Sequence, residues 1–178
     1  WDFDDIWLVN VDDYPTFIGQ PSEDINIDMS SAEDGSLINF TAQGCDSLGE
    51  WQTSKESQLA KQDIGFDYPE GLVKFELLSC ESGGDATIQF TVVTNLKAGE
   101  ISVRKYSETL TTFTTLTDEN SNVSIEEVTI DDQAALRVTY VLTDGGLLDQ
   151  DGLVNGEIVD PVGVAQVALT APNTGSGH

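Results

Sequence analysis

The feature that most restricts the fold of this chain is a series of short apolar runs with polar residues at every second position, separated by glycine-rich turns. In residues 72–78, for example, Val73, Phe75 and Leu77 alternate with polar neighbours. Side chains two residues apart lie on one face of a β-strand, so this period indicates half-buried strands. The strands predicted in this way are 36–42, 72–78, 86–93, 101–106, 111–116, 123–130, 134–142 and 162–169. The sequence therefore predicts an all-β fold, an antiparallel two-sheet sandwich of the Ig-like or Greek-key type.

Two local predictions accompany this pattern. The turn Ser82-Gly83-Gly84-Asp85 favours a hairpin between the strands 72–78 and 86–93. Residues 46–62 are the only helical candidate, and we interpret them as a loop or one short helix.

The length of 178 residues suits one domain, and a hydrophobic content of 39% is enough for a core. We divide the chain into an aromatic-rich segment 1–22, a β-sandwich 23–170 and a tail 171–178 with the Gly/Ser composition of a flexible linker. The chain starts at Trp1 with no basic-then-apolar leader, and we take it as a piece of a longer protein.

The charge balance restricts the partners of the chain. There are 32 Asp and Glu residues against 7 Lys and Arg, for a formal net charge of -25. Such a charge repels phosphate backbones, so we expect no nucleic-acid partner. No apolar run is long enough for a membrane span, and we predict none within this chain.

Catalysis is disfavoured by the residue inventory. The one histidine is His178, the last residue, so a Ser-His-Asp or Cys-His arrangement has no positioned base. Paired acids such as Asp12-Asp13 and Asp131-Asp132 are expected by chance in so acidic a chain, and solvated surface explains them better than a glycosidase pair. We predict that the protein is not an enzyme.

The two cysteines, Cys45 and Cys80, form either a disulfide or two buried thiols. The acidic balance, the scarcity of lysine and the absence of a Cys-x-x-Cys motif favour a disulfide in an exported protein.

An acidic loop at 143–161 carries the oxygen-rich side chains and glycines that calcium sites use. It is not an EF-hand: with Gly152 at the conserved glycine position, Leu147 and Ile158 fall where the end carboxylates belong. Two interpretations stay open, a calcium site and pure turn chemistry, since tight turns use the same residues. The candidate calcium ligands are Asp144, Asp149, Asp151, Asn155 and Asp160.

Two further groups of side chains are candidates for contacts. Trp7, Tyr14 and Trp51 are candidates for stacking on sugar rings or on a partner, against the commoner role of aromatics in core packing. Arg104 and Tyr106 share a face of their predicted strand, and an internal ion pair of Arg104 with a nearby acid is favoured over an exposed basic patch.

Several stretches taken together resemble one family. Residues 66–80 (FDYPEGLVKFELLSC), 83–88 (GGDATI), 104–106 (RKY) and the closing loop, from Thr143-Asp144-Gly145-Gly146 to Asp160-Pro161, are similar to motifs of the bacterial "choice-of-anchor U" domains over residues 30–165. The resemblance implies an extracellular domain near the C-terminus of a bacterial surface or secreted protein. More weakly, residues 1–20 (WDFDDIW, then YPTF) are similar to the end of a GLUG-type repeat, which implies a preceding β-stalk.

The resulting hypothesis is a non-enzymatic structural or adhesion module of an exported bacterial protein, close to its anchor and stabilised by calcium. Its expected partners are other surface-protein domains or the cell envelope. The alternatives are a module that binds glycans or a protein, and a self-associating subunit of an extracellular polymer.

Overall fold

The computed structural model describes residues 24–169. The predicted segments 1–22 and 171–178 lie outside the described residues, as do Trp7 and Tyr14. Within the described part, the strands form two antiparallel sheets, one of five strands and one of six, and the predicted all-β sandwich is confirmed.

Eleven strands and a few short helical turns make up the described chain. The strands are β1 Ile25–Ser30, β2 Leu37–Gln43, β3 Cys45–Ser54, β4 Phe66–Asp67, β5 Leu72–Cys80, β6 Asp85–Val93, β7 Ile101–Ser107, β8 Thr112–Thr115, β9 Ser124–Ile130, β10 Gln133–Thr143 and β11 Ile158–Val167. The helical elements are α1 Asp118–Ser121 and the 3₁₀ turns Glu56–Gln58 and Ala98–Glu100. No helix among residues 24–169 is long and apolar enough to cross a membrane.

The strand order shows that the chain crosses repeatedly between the sheets. The first sheet has the order β1-β2-β6-β10-β9, and the second has β3-β5-β11-β7-β8 with the short β4 pairing beside β11. Central neighbours such as β5 and β11 are far apart in sequence, which is the connectivity of crossing, Greek-key-like sandwiches rather than of a meander.

The core lies between the two sheets and is built from the alternating residues. Phe40 of β2 and Phe75 of β5 meet across the sheets with ring centroids 4.7 Å apart, and Phe90 packs edge-on against Tyr140. All four rings are buried. Burial of apolar side chains, these rings and the aliphatic residues around them, is the main stabilising term of the fold.

One predicted element is wrong. Residues 46–62 were expected to be a loop or one short helix, but β3 occupies Cys45–Ser54. The only helical part of this stretch is the 3₁₀ turn Glu56–Gln58. β3 is an edge strand in which only Cys45 is buried, and a bulge shifts its register against β5 between Leu48 and Trp51. Exposure removes the apolar signal and the bulge breaks the period of two, so the pattern does not read as a strand. β1 escaped prediction as well.

The predicted hairpin at Ser82–Asp85 is also wrong. β5 and β6 belong to different sheets, so the turn carries the chain from one layer to the other. A glycine turn between two alternating runs fits a hairpin and an inter-sheet corner equally well, and only the pairing of β5 with β3 and β11 distinguishes them.

Candidate functional site

One end of the sandwich is cross-linked by a disulfide and by buried hydrogen bonds. We call it the closed end, and it consists of Gly44, residues 81–84 and the loop 144–157. Each of these three segments connects a strand of one sheet to a strand of the other. Gly44 has φ of 98°, and a Cβ there would lie 2.5 Å from the carbonyl oxygen of Asp85, so a glycine is required for this close crossing.

A disulfide joins two strands at the closed end. Cys45 opens β3 and Cys80 ends β5, the two residues are register partners, and their sulfurs are bonded. The predicted disulfide is thereby confirmed. It ties the edge strand β3 to the interior of its sheet at the point where β3 leaves the crossing at Gly44.

Asp144 holds two of the three crossings together. Its carboxylate is buried and accepts backbone N–H bonds from Gly83 at 2.8 Å, from Gly156 at 3.0 Å and from Asn155 at 3.3 Å. Burial acts to raise the pKa of Asp144, but these donors outweigh it and hold the pKa below its usual range. The side chain therefore acts as an ionised clamp between the turn 81–84 and the end of the acidic loop.

Asp149 makes a second clamp inside the loop. Its oxygens accept the N–H groups of Gly145 at 2.9 Å and Val159 at 3.1 Å, and the N–H of Gln150 donates to the carbonyl of Val159. Here burial raises the pKa above its usual range, with the two donors opposing it. β7 pairs with β11 only from Val162 onward, so residues 149 and 150 take the place of a neighbouring strand beside Val159.

The remaining two loop residues face solvent and bond locally. Asp151 accepts the N–H of Leu153 at 2.8 Å and the side-chain amide of Asn155 at 2.9 Å. The amide oxygen of Asn155 in turn accepts the N–H of Glu157. These are side-chain-to-backbone turns of the kind that Asp and Asn favour.

Asp160 lies apart from the other four candidate ligands, in the core. It is fully buried, accepts a hydrogen bond from the Tyr140 hydroxyl at 2.6 Å and forms an ion pair with Lys105. Burial, followed by the adjacent carboxylate, raises the pKa of Tyr140 well above its usual value, so the phenol remains a donor.

The five candidate ligands therefore do not converge on one point. Among residues 24–169 no group of three acidic, histidine or cysteine side chains is placed to hold a metal ion. The oxygens of Asp144, Asp149 and Asp160 already accept protein donors, which is the arrangement of turn and core chemistry rather than of a cation cage. Calcium binding stays a prediction.

The ion pair predicted for Arg104 lies on the outer face of the second sheet. Arg104 forms a two-point contact with Asp63, which also accepts the Tyr68 hydroxyl at 2.6 Å, and the guanidinium lies 4.1 Å from the ring centre of Phe66. Arg104 is mostly buried, so the prediction of an internal ion pair is confirmed. The pair fastens the segment before β4 over a small apolar cluster of Tyr68, Leu72, Tyr106 and Ala165.

The candidate aromatic Trp51 lies at an open cleft. The side chain is 46% exposed, and the cleft, of about 510 Å³, lies at the bulge of β3 next to Lys74 and Glu76. The structure thus places Trp51 at a surface cleft, and binding of a glycan or a partner there stays a prediction.

One buried pair was missed by reasoning on the sequence. Lys105 follows Val103 by two residues on an alternating strand, so it faces the core, and a lysine on an apolar face needs a buried acid. That signal was present, but the acid is 55 residues away in sequence.

Comparisons with family models, with curated proteins and with solved structures find no significant match to this chain.

Proposed function

We propose that this chain is a non-enzymatic structural module of an exported bacterial surface protein, placed near the anchor of that protein. The observation that carries the proposal is the closed end. There a disulfide and the Asp144 clamp hold together the three segments that pass between the sheets. A module that transmits load between a stalk and an envelope benefits from such a cross-linked end, because strands that are tied together cannot separate one at a time.

The disulfide and the charge support an extracellular location. Disulfides persist in oxidising surroundings, and a strongly acidic surface stays soluble at high salt. The resemblance to choice-of-anchor U domains adds the bacterial surface as the expected setting, with other surface-protein domains or the envelope as partners.

The location is tested by labelling intact producing cells with an antibody raised against residues 24–169. Staining of unbroken cells, lost after brief surface proteolysis, is the expected result. Staining that requires lysis contradicts the proposal.

The mechanical role is tested by pulling single molecules from both ends. The disulfide closes a sequence separation of 35 residues. At about 3.3–3.6 Å per residue, it hides roughly 12 nm of contour length. We expect unfolding without reductant to fall short of the reduced length by this amount and to need higher force. Equal unfolding forces in the two states contradict a mechanical role for the closed end.

A second candidate function is binding of a glycan or peptide at the cleft beside Trp51. The exposure of the indole favours it. A glycan array probed with the wild-type chain and with Trp51→Ala is the test, and binding that disappears in the variant supports this function. A wild-type chain that binds no glycan on the array contradicts glycan binding at this cleft.

Self-association into a polymer is less well supported. The edge strand β9 carries Glu126 and Glu127, and like charges on an exposed edge oppose pairing with another copy. Sizing over a wide concentration range measures this directly.

Stabilisation by calcium belongs to the same proposal and has a direct test. We expect a calcium-dependent rise in melting temperature that chelator reverses and that Asp149→Ala with Asp151→Ala abolishes. A wild-type melt that ignores both calcium and chelator contradicts it.

A further inference from the structure

The buried pair Lys105 and Asp160 is the part of the molecule that the proposed function does not use. Lys105 projects from β7 and Asp160 from the adjacent β11, two residues from Val162, the register partner of Lys105. Both side chains enter the core between the sheets, with 5% and 0% of their surfaces exposed, and the lysine nitrogen is in direct contact with Oδ1 of the carboxylate.

The surroundings offer the pair few further polar partners. Lys105 has a single further acceptor, the carbonyl of Val159 at 3.4 Å, for the three protons of an ammonium group. Asp160 has one further donor, the Tyr140 hydroxyl, which comes from the opposite sheet. Several neighbours are apolar, among them Phe75, the register partner of Asp160, and Val162. Two charges in such a site carry a large desolvation cost that a few hydrogen bonds do not fully offset.

We propose that Lys105 and Asp160 become joined by an amide bond between the lysine nitrogen and the aspartate Cγ. Transfer of one proton from the ammonium to the carboxylate gives the neutral amine and the neutral acid from which the amide can form. The amine lone pair then attacks Cγ, the C–N bond forms, and one C–O bond breaks. The departing hydroxyl leaves as water with a proton from the nitrogen, so atoms and charges balance without any co-reactant.

Three features of the site favour this reaction over a permanent ion pair. Two paired strands hold the nucleophile and the electrophile in contact. The entropy lost in bringing them together is therefore lost on folding and does not add to the barrier of the reaction. The Tyr140 hydroxyl donates to Oδ2 and stabilises the charge that develops on that oxygen during attack. The amide N–H of the product has an acceptor ready in the Val159 carbonyl.

The contrast with Lys74 shows why other lysines are not expected to react. Lys74 forms an ion pair with Glu108 at 2.7 Å, but both side chains are substantially exposed. Water at this exposed site stabilises the charged forms of both side chains. Because amide formation releases a water molecule, the surrounding water also opposes the reaction. Lys74→Met is therefore a matched control.

Intact-mass spectrometry of the purified, reduced wild-type chain is the deciding experiment. The expected mass is lower than the sequence mass by one water, and fragmentation is expected to find a branched peptide that joins Lys105 to Asp160. Lys105→Met is expected to show its full mass, while Lys74→Met is expected to retain the loss of one water. Tyr140→Phe is expected to lose its water more slowly in samples taken at intervals after synthesis.

A wild-type chain that keeps its full sequence mass after prolonged storage overturns the proposal, whatever the variants do. A water loss that maps to another residue pair overturns it as well. A Tyr140→Phe variant that converts at the wild-type rate overturns the role given to the hydroxyl. None of these outcomes bears on the proposed structural function, which rests on the disulfide and on Asp144.

Discussion

The clamp made by Asp144 leads to a prediction with a defined magnitude and a defined pH dependence. In Asp144→Asn, the amide oxygen can still accept the N–H groups of Gly83 and Gly156, but the amide nitrogen then faces the N–H of Asn155. Hydrogen bonds to a charged group contribute roughly 1.5–3 kcal/mol each, and the variant loses one bond and the charge from the other two. We expect a loss of about 2–3 kcal/mol in the free energy of unfolding at neutral pH, or roughly 4–12 °C in melting temperature.

The pH dependence follows from the direction of the pKa shift. The folded-state pKa of Asp144 lies below that of the unfolded chain, so its contribution is complete above the unfolded value, about 3.9. The contribution is lost as the pH falls through the folded value. The difference between wild type and Asp144→Asn should therefore shrink below about pH 4.

Asp149 provides the opposite case within the same loop. Its folded-state pKa is raised, so ionisation above the unfolded value of about 3.9 lowers the stability of the folded state. At pH 7, Asp149→Asn should therefore lower the free energy of unfolding by less than Asp144→Asn does. The stability of Asp149→Asn relative to wild type should increase as the pH rises. The exposed Glu157→Gln in the same loop controls for the change in net charge.

Urea-unfolding curves of the four proteins at steps between pH 3 and pH 7 measure these differences. A stability difference for Asp144→Asn that is constant across this range refutes the reasoning. So does a shift in the same direction for both variants, since it would mean that at least one of the two carboxylates does not have the environment described here.

Three further predictions concern covalent and steric features. Reduction of Cys45–Cys80, followed by a thermal melt, should lower stability by about 3–4 kcal/mol, as expected for a closed loop of this length. Arg104→Lys should cost roughly 1–3 kcal/mol in urea unfolding, because lysine cannot make the two-point contact or the stacking on an aromatic ring. Gly44→Ala should be destabilised by more than about 2 kcal/mol, whereas Gly35→Ala, also at positive φ but in open space, should lose only about 1 kcal/mol. Similar melting temperatures for the two glycine variants would contradict the steric argument.

The strands that could be predicted from the sequence are those with one buried face. β5, β6 and β10 each alternate between core and surface, and their predicted bounds match the structure closely. β3 lies at a sheet edge, where its side chains are largely polar and a bulge interrupts the alternation, so no clear period remains. β1 does alternate apolar and polar residues, so the signal for this edge strand was present in the sequence and was missed.

The contents of the candidate sites were predictable only in part. With two cysteines the pairing had one solution, and the need of Arg104 for an acid followed from its position on a strand. Strand registers between distant segments determine that this acid is Asp63. They also determine that Asp160 lies in the core and not with the other acids of the loop. Local patterns carry no information on such registers.

The central position of β11 has a consequence for the order in which the molecule can assemble. This strand pairs with β4, β5 and β7, and it supplies Ile158, Val162 and Val164 to the core. Until Val167 has been synthesised, the second sheet lacks the strand that joins its two halves. The second sheet of the nascent chain therefore cannot be completed until β11 has been synthesised, so we expect the sandwich to form late, after this strand is available.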